Sequence, residues 1–468
     1  MYSSLGIPLI LLLCSPSSSR ASVSTAVKDK VEGWIADQDS RSTTQIFESC
    51  LFTLFVCTWT ALHLNVADPS EGQVKGLLRR LKWMVITFVG PEFIFGHALA
   101  ELTAAWKSRR YMKDLAEANG CEWTITHGFY ANQGGFVLEF RSGIQTTAVE
   151  SEGKKEIRTI NNVGTEHDGN TVQVESNPDL SALGSPPVNA NQIRYLAQAG
   201  LIAFPKLTSD YIEDKSKGDI FAKGLSCWQV FWLLIQCVVR EIRGLPTTPL
   251  EISTLAFSAC TLGTYAMWLR KPLDIRIPTP ILIKPLSATT LEELKSLSTR
   301  SIVADFFLVD QLGRGKTTPF HDRIFNDSYF VDRQYVIRFP QDVFVMVDWE
   351  FGVLLVSVLF GCLHCIAWNA SFPTAIERTL WRVASAFSAG IMPLLYTAGT
   401  LVTWIGLKIA PAGVVKNKDL IFSIPIIAAS LSYCLGRLYL LAESFASLRS
   451  LPPAAFTSTW AADLPSVN

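Results

Sequence analysis

At 468 residues, with 41 Lys plus Arg against 41 Asp plus Glu, the chain carries no formal net charge. That balance removes the basic footprint of a nucleic-acid binder, so no nucleic-acid partner is expected. Hydrophobic residues make up 49% of the chain, and they gather in runs of about 18 to 25 residues, the length a helix needs to cross a bilayer. The expected fold is therefore an all-α membrane protein: a polytopic bundle of about seven transmembrane helices with two large hydrophilic loops of minor strand content.

The chain opens on an apolar run, Leu5 to Cys14, followed by Ser15 to Ser19 and Arg20-Ala21. It is too short to span and reads as a signal peptide over residues 1–21, although the usual basic start is missing. Residues 22–106 hold a short polar segment and the first two spans. The first, about Phe47 to Val66, carries Cys50, Cys57, His63 and Asn65. The second, Trp83 to Trp106, has Trp at both ends, where aromatic rings settle in the interface. Inside it stand Pro91, Glu92, His97 and Glu101, and Pro91 is expected to kink the helix beside the Glu92 carboxyl.

Residues 107–224 form the first hydrophilic loop. Its stretch 142–187 is rich in Ser, Thr, Asn, Gly and Glu, too poor in apolar residues to offset its chain entropy, and is expected to be disordered. Residues 225–269 hold the third and fourth spans, about Leu225 to Val239 and Ile252 to Leu269. The second hydrophilic loop covers 270–349. Alternation in Asp274-Ile-Arg-Ile-Pro and Tyr335-Val-Ile-Arg-Phe predicts short strands there, and Leu291 to Ser298 a turn or two of helix. Residues 350–445 hold the last three spans, about Phe351 to Trp368, Val383 to Ile409 and Leu420 to Leu441. The sixth contains Pro393, which predicts tilting or breaking. Residues 446–468 read as a C-terminal tail.

The ten cysteines fall in apolar runs apart from Cys14 and Cys121, so no disulfide framework is expected. Orientation rests on two opposed signals. A cleaved leader puts both large loops outside, whereas the Lys and Arg residues flanking those loops, such as Lys107, Arg109, Arg270 and Lys271, put them in the cytosol. Long loops follow the charge rule poorly, which tilts the balance to the leader. Asn326 and Asn369 are the glycosylation candidates, and they fall on opposite faces.

Three stretches carry a resemblance. The first is Gly33-Trp34 with Ser49-Cys50, Cys57, Trp59-Thr60 and Leu62-His63-Leu64-Asn65. The second is Tyr211 to Asp219, running on to Lys271-Pro272-Leu273. The third is Phe360-Gly-Cys-Leu-His-Cys-Ile-Ala-Trp-Asn369 with Trp381-Arg382. Together they resemble an uncharacterised family of fungal multi-pass membrane proteins. The resemblance implies a leader and several spans, and brings no activity with it.

The chemistry on offer lies within the spans. An ionisable side chain at membrane depth is expensive and faces a protein interior or a wet cavity. At the helical rise, His63 lies about 4 Å from the face bearing the short loops, His364 and Arg437 about 6 Å, and Glu92 about 13 Å. These four are expected to converge on one vestibule, the binding candidate. The plain alternative is that His63, His364 and Arg437 cap carbonyls or sit among headgroups. His97 and Glu101, four apart, share a second polar face. Two histidines and a carboxylate can hold zinc or iron, but these come from separate helices without HExxH-type spacing, so no metal site is assigned. Cys362-Leu-His364-Cys365 reads as packing rather than redox chemistry. Gly313 to Thr318 fails as a phosphate loop because the required first Gly is Asp310. Neither a cofactor nor a catalytic residue is indicated.

The expected partners are the lipid bilayer and a small solute or lipid. The expected location is a membrane of the secretory pathway, the endoplasmic reticulum or the plasma membrane. The leading function is a transporter or receptor-like protein that handles a small polar or anionic solute. The alternative is a membrane-embedded, metal-dependent enzyme acting on a lipid or isoprenoid-like substrate. A scaffold that binds other proteins through its large loops is the third reading.

Overall fold

The computed structural model describes residues 33, 41–66, 72–140, 185–216, 220–284, 286, 289–290, 293–294, 348–409 and 418–459. The signal peptide, the stretch 142–184, the strand expected at Tyr335, the Gly313 loop and Asn326 lie outside the described residues. Within them the chain is mostly helical. Helix α1 spans Thr43–Ala61 and opens on a capping box in which Ser42 and Gln45 satisfy each other's backbone amides. Then come α2 (Gln73–Val89), α3 (Pro91–Ala118), α4 (Ile125–Asn132) and strand β1 (Phe136–Phe140). The order continues with α5 (Ala190–Gln198), α6 (Ser209–Lys215), α7 (Ile220–Ile242), α8 (Pro249–Met267) and β2 (Thr279–Ile283). Helices α9 (Asp348–Cys365), α10 (Ala375–Ile409) and α11 (Lys418–Ala446) complete the series, with short 3-10 turns at Ile366–Asn369, Ser447–Arg449 and Pro453–Phe456.

Helices α1, α3 and α7 to α11 pack into one bundle. Its interior seams use small and hydroxyl side chains, which let backbones approach closely. Ser253 on α8 meets Ser444 on α11 at 2.6 Å, and Thr60 on α1 meets Ser226 on α7 at 2.9 Å. The outside of the bundle is apolar. Exposed rows such as Phe351, Leu355 and Leu359 on α9, or Leu431, Leu435 and Leu438 on α11, suit lipid better than water. Among the described residues, Lys223–Ile242 and Phe351–Asn369 are long and apolar enough to cross a membrane. The bent pair α2 and α3 makes a third if it counts as one span.

Beside the bundle sits a small α/β unit. Strands β1 and β2 are parallel, with Phe136 opposite Thr279 and Phe140 opposite Ile283. The C-terminal half of α3 and helices α4 and α5 cover them through Met112, Ala116, Tyr130, Ile193 and Leu196. The strand therefore lies at Thr279–Ile283 and not at Asp274–Pro278, where Asp274 takes a left-handed φ of 52° that interrupts extended pairing. Residues 185–187, the described end of the stretch expected to be disordered, are ordered against β1. Leu138 N–H donates to Pro186 O at 2.9 Å and Val188 N–H to Phe136 O at 3.0 Å, so residues 186–188 form a third edge to β1.

The largest departure from expectation concerns Trp83–Trp106. The kink expected at Pro91 is a full break. Gly90 has non-helical φ and ψ, Pro91 offers no amide to continue the α2 ladder, and proline suits the first position of a new helix. The chain turns through 110° there. Its two ends return to the same place: Val66, just before α2, packs in the same core as Met112 and Ala116 of α3. Helices α2 and α3 thus form a V with its apex at Gly90–Glu92 inside the bundle. It follows that α1 runs toward the α/β unit, parallel to α8 and opposite to its expected direction. Ile46 and Cys50 pack with Leu250 near one end, and Thr60 bonds Tyr265 near the other. Helix α1 also stops at Ala61, so His63 and Asn65 lie beyond it in extended chain. Pro393 lies inside α10, which continues through it.

Residues 447–459 are packed rather than a free tail. Leu448, Leu451, Ala455 and Phe456 join Ile46, Cys50 and Leu250 in a buried cluster. Arg240, 2% exposed, pins this segment by donating to Thr457 O and Ala455 O, each at 2.9 Å, and to Pro246 O at 3.1 Å through Nε.

Two tests follow. A Cβ on Gly361 would stand 2.4 Å from Ala389 N on α10, so Gly361→Ala forces the two helices apart. A loss of about 1–3 kcal/mol is expected, read as a lower unfolding temperature in detergent. In the α/β unit, the buried His127 accepts from Thr124 N–H at Nδ1 and its Nε2 donates to Leu207 O. Burial lowers its pKa below 6.5, against the raising effects of the Leu207 carbonyl and Glu122. The unfolded chain then binds more protons than the folded one, so stability is fully present above about pH 6.5 and falls as the solution is acidified. His127→Gln is expected to flatten this part of the pH dependence in unfolding measurements.

Candidate functional site

Two buried polar centres occupy the bundle. The first forms at the apex of the V. Glu92 lies in the first turn of α3, where a carboxylate suits the positive end of the helix dipole. Both of its oxygens are engaged. Tyr433 Oη donates to Oε1 and Arg437 Nη2 donates to Oε2, each at 2.6 Å. Tyr433 and Arg437 are four apart on α11 and so share one helix face.

Helix α9 supplies the floor by the same spacing. The Arg437 guanidinium carbon lies 3.3 Å from the Phe360 ring centroid, a cation–π contact in a desolvated setting. Phe360 in turn stacks on His364 at 4.3 Å. His364 Nδ1 donates to Phe360 O at 2.8 Å, which places the proton on Nδ1 and fixes the ring. Trp381 on α10 completes the wall, donating from Nε1 to His364 O at 3.1 Å.

The pairing in this centre is incomplete on one side. Arg437 is 4% exposed, yet its Nε and Nη1 have no hydrogen-bond partner among the described residues. Buried guanidinium donors are seldom left so, because each forgoes the hydrogen bonds it had in water. Ser385 and Ser388, on the α10 face that continues from Trp381, also carry buried hydroxyls without partners among the described residues.

The second centre lies where the bundle meets the α/β unit. Glu101 on α3 accepts from Lys271 Nζ and from Trp268 Nε1 at Oε2, both at 2.6 Å. Its Oε1 is 3.2 Å from His97 Nε2. Lys271 Nζ reaches Asn65 Oδ1 at 3.4 Å and lies 4.7 Å from the Trp268 ring centroid. Burial pulls the Lys271 ammonium below its ordinary range, and the Glu101 carboxylate opposes that shift. His63 belongs here: its ring lies 5.2 Å from Trp268 and its Nε2 is 2.9 Å from Lys223 Nζ.

The expected quartet is thus divided. Glu92, Arg437 and His364 meet at the apex, whereas His63 lies with His97 and Glu101 in the second centre. The cause is the reversed direction of α1, which carries His63 to the α/β face instead of the short-loop face. Asn369 ends the 3-10 turn after α9, and its Oδ1 accepts from Arg382 Nη2 at 3.3 Å. Cys362 and Cys365 lie three apart on α9 and are not joined in a disulfide. No group of three or more His, Cys, Asp or Glu able to hold a metal occurs among the described residues. Tyr433, Phe360, Lys271, Trp268 and Lys223 are not among the site residues expected from the sequence. Only the i,i+4 spacing of Tyr433 with Arg437 and of Phe360 with His364 was available as a signal.

A family model, described as a family of unknown function (DUF8562), matches residues 9–303. The chain belongs to this family. No curated protein and no solved structure matches it. In this DUF8562 member the second centre lies entirely within the matched residues. The first draws Glu92 from them, and its partners Phe360, His364, Tyr433 and Arg437 from the helices beyond.

The second centre has every Glu101 oxygen engaged, which makes it a structural joint. Removing one partner strands a buried charge. Glu101→Ala and Lys271→Ala are each expected to cost about 3–5 kcal/mol. The double variant Glu101→Ala, Lys271→Ala should lose less than the sum of the single losses, in a double-mutant cycle of unfolding free energies.

Proposed function

We propose that the protein is a multi-pass membrane protein that binds a small polar or anionic solute at the Glu92–Arg437 centre, in the manner of a transporter or receptor. In this reading α1, α8, α10 and α11 cross the bilayer along with α7 and α9. The α2–α3 pair enters and leaves on the face of the α/β unit. What supports the solute site is the buried Arg437, whose Nε and Nη1 lack partners while its Nη2 is committed to Glu92. A bound acceptor would satisfy those donors. The break at Gly90 fits the same use, since interrupted helices inside membranes line solute sites.

The guanidinium lies against the Phe360 and Tyr433 rings, a buried setting where a hydrogen bond to a charged group is strong. His364, stacked behind Phe360, positions the ring on which the guanidinium rests. The test is a panel of small neutral and anionic probes, including glycerol, nitrate, chloride and acetate, added to the purified full chain in detergent. At least one is expected to raise the unfolding temperature of the wild type and to leave that of a folded Arg437→Gln variant unmoved. An equal rise in both, or none with any probe, would overturn the reading.

A further inference from the structure

The first centre holds one carboxylate and one guanidinium, and that count limits what it can accept. The other groups facing the pair are few. Helix α11 presents Tyr433 and Cys434, α8 presents Cys260, and α9 presents His364 beneath Phe360. Helix α2 reaches the apex with Ile86 to Val89, which do not titrate, and its Arg79 and Arg80, near the middle of the helix, are engaged at Asn65 O and Trp59 O. Helix α10 presents Phe387 against Gly436. Arg437 is therefore the sole permanent cation among the described residues at the apex, and Glu92 already neutralises it.

A monoanion placed on the free donors of Arg437 beside an ionised Glu92 leaves a net negative charge in a buried, largely aromatic interior. Such surroundings oppose an uncompensated charge strongly. A proton taken up by Glu92 removes the excess. Building on the solute site proposed above, we infer that this centre binds a monoanion together with one proton, the anion on Arg437 and the proton on Glu92.

The geometry accommodates the exchange without moving the guanidinium. Arg437 rests on Phe360 through its face, so its edges remain available as the Glu92 bond weakens. One proton passes from solvent to a Glu92 oxygen. The resulting hydroxyl can donate to Tyr433 Oη, now 2.6 Å away, or to the anion. One O–H bond forms on Glu92 as one breaks on the solvent donor, and charge is conserved: one negative ion enters with one positive one.

Linkage makes this measurable. Where Glu92 is ionised before binding, uptake of one proton per anion strengthens binding about tenfold for each unit that the pH falls. The experiment titrates the detergent-solubilised full chain with nitrate and, separately, with chloride, whose own charge does not change with pH. Affinity comes from the rise in unfolding temperature at several pH values, with ionic strength held constant. Proton uptake on anion addition is read with an indicator dye in weakly buffered solution. The expected result is affinity that strengthens as pH falls, with one proton taken up per anion bound. Glu92→Gln should bind the same anion with pH-independent affinity, and Arg437→Gln should not bind it. Wild-type binding that ignores pH, without proton uptake, would overturn the coupling and leave the solute site standing. So would binding of neutral probes alone. If no probe of either kind binds, both fall. Should Glu92→Gln fail to fold, wild-type proton uptake decides by itself.

Discussion

The ion pair between Glu92 and Arg437 is the constraint on which the bundle is arranged. A carboxylate fully removed from solvent near the bundle centre has to be matched by donors, and α11 provides two from one face. Because Glu92 follows the Gly90–Pro91 break directly, the pair also anchors the apex of the V. Without that anchor, a helix end and its unbonded amides would project into an apolar interior. The arginine is held from the other side by Phe360, so three helices are fixed relative to one another by a single charge and its countercharge.

The second centre does comparable work nine residues further along α3. Glu101 joins the helix to Lys271 and Trp268 just after α8, and Lys271 reaches on to Asn65 just after α1. Helix α3 is thus a strut with two buried carboxylates in its N-terminal half, Glu92 tied to the C-terminal helices and Glu101 to the chain that leads into the α/β unit. The two centres differ in completeness. The joint at Glu101 has both carboxylate oxygens committed, whereas the apex leaves two guanidinium donors unused. Both Glu92 oxygens are engaged as well, so the difference rests on Arg437 Nε and Nη1, which lack partners among the described residues and on which the proposed solute site stands.

The family match follows a similar line. It covers α1 through α8 and the α/β unit, which contain the whole Glu101 joint. The helices that complete the Glu92 centre lie outside the matched stretch. Any solute specificity at the apex therefore depends on α9, α10 and α11.

By itself the sequence determined that the chain is mostly helical, that its apolar runs reach bilayer length, and that Glu92, His97 and Glu101 sit on one interrupted apolar stretch. These are local properties, carried by hydrophobic run length and by proline geometry. It also placed Glu92, Arg437 and His364 at related depths. What only the tertiary structure decided is direction and pairing. Run length is the same for a helix read either way through a membrane, so nothing local showed that α1 points toward the α/β unit. That reversal moved His63 from the apex to the Glu101 joint. The V of α2 and α3 was equally hidden: a proline signals a kink, but whether the chain bends slightly or turns back depends on what each arm packs against. Arg240, Lys271 and the segment after Ala446 escaped for the same reason, since a buried charge in sequence looks like any surface charge until the carbonyls and carboxylates that surround it are brought together by the fold.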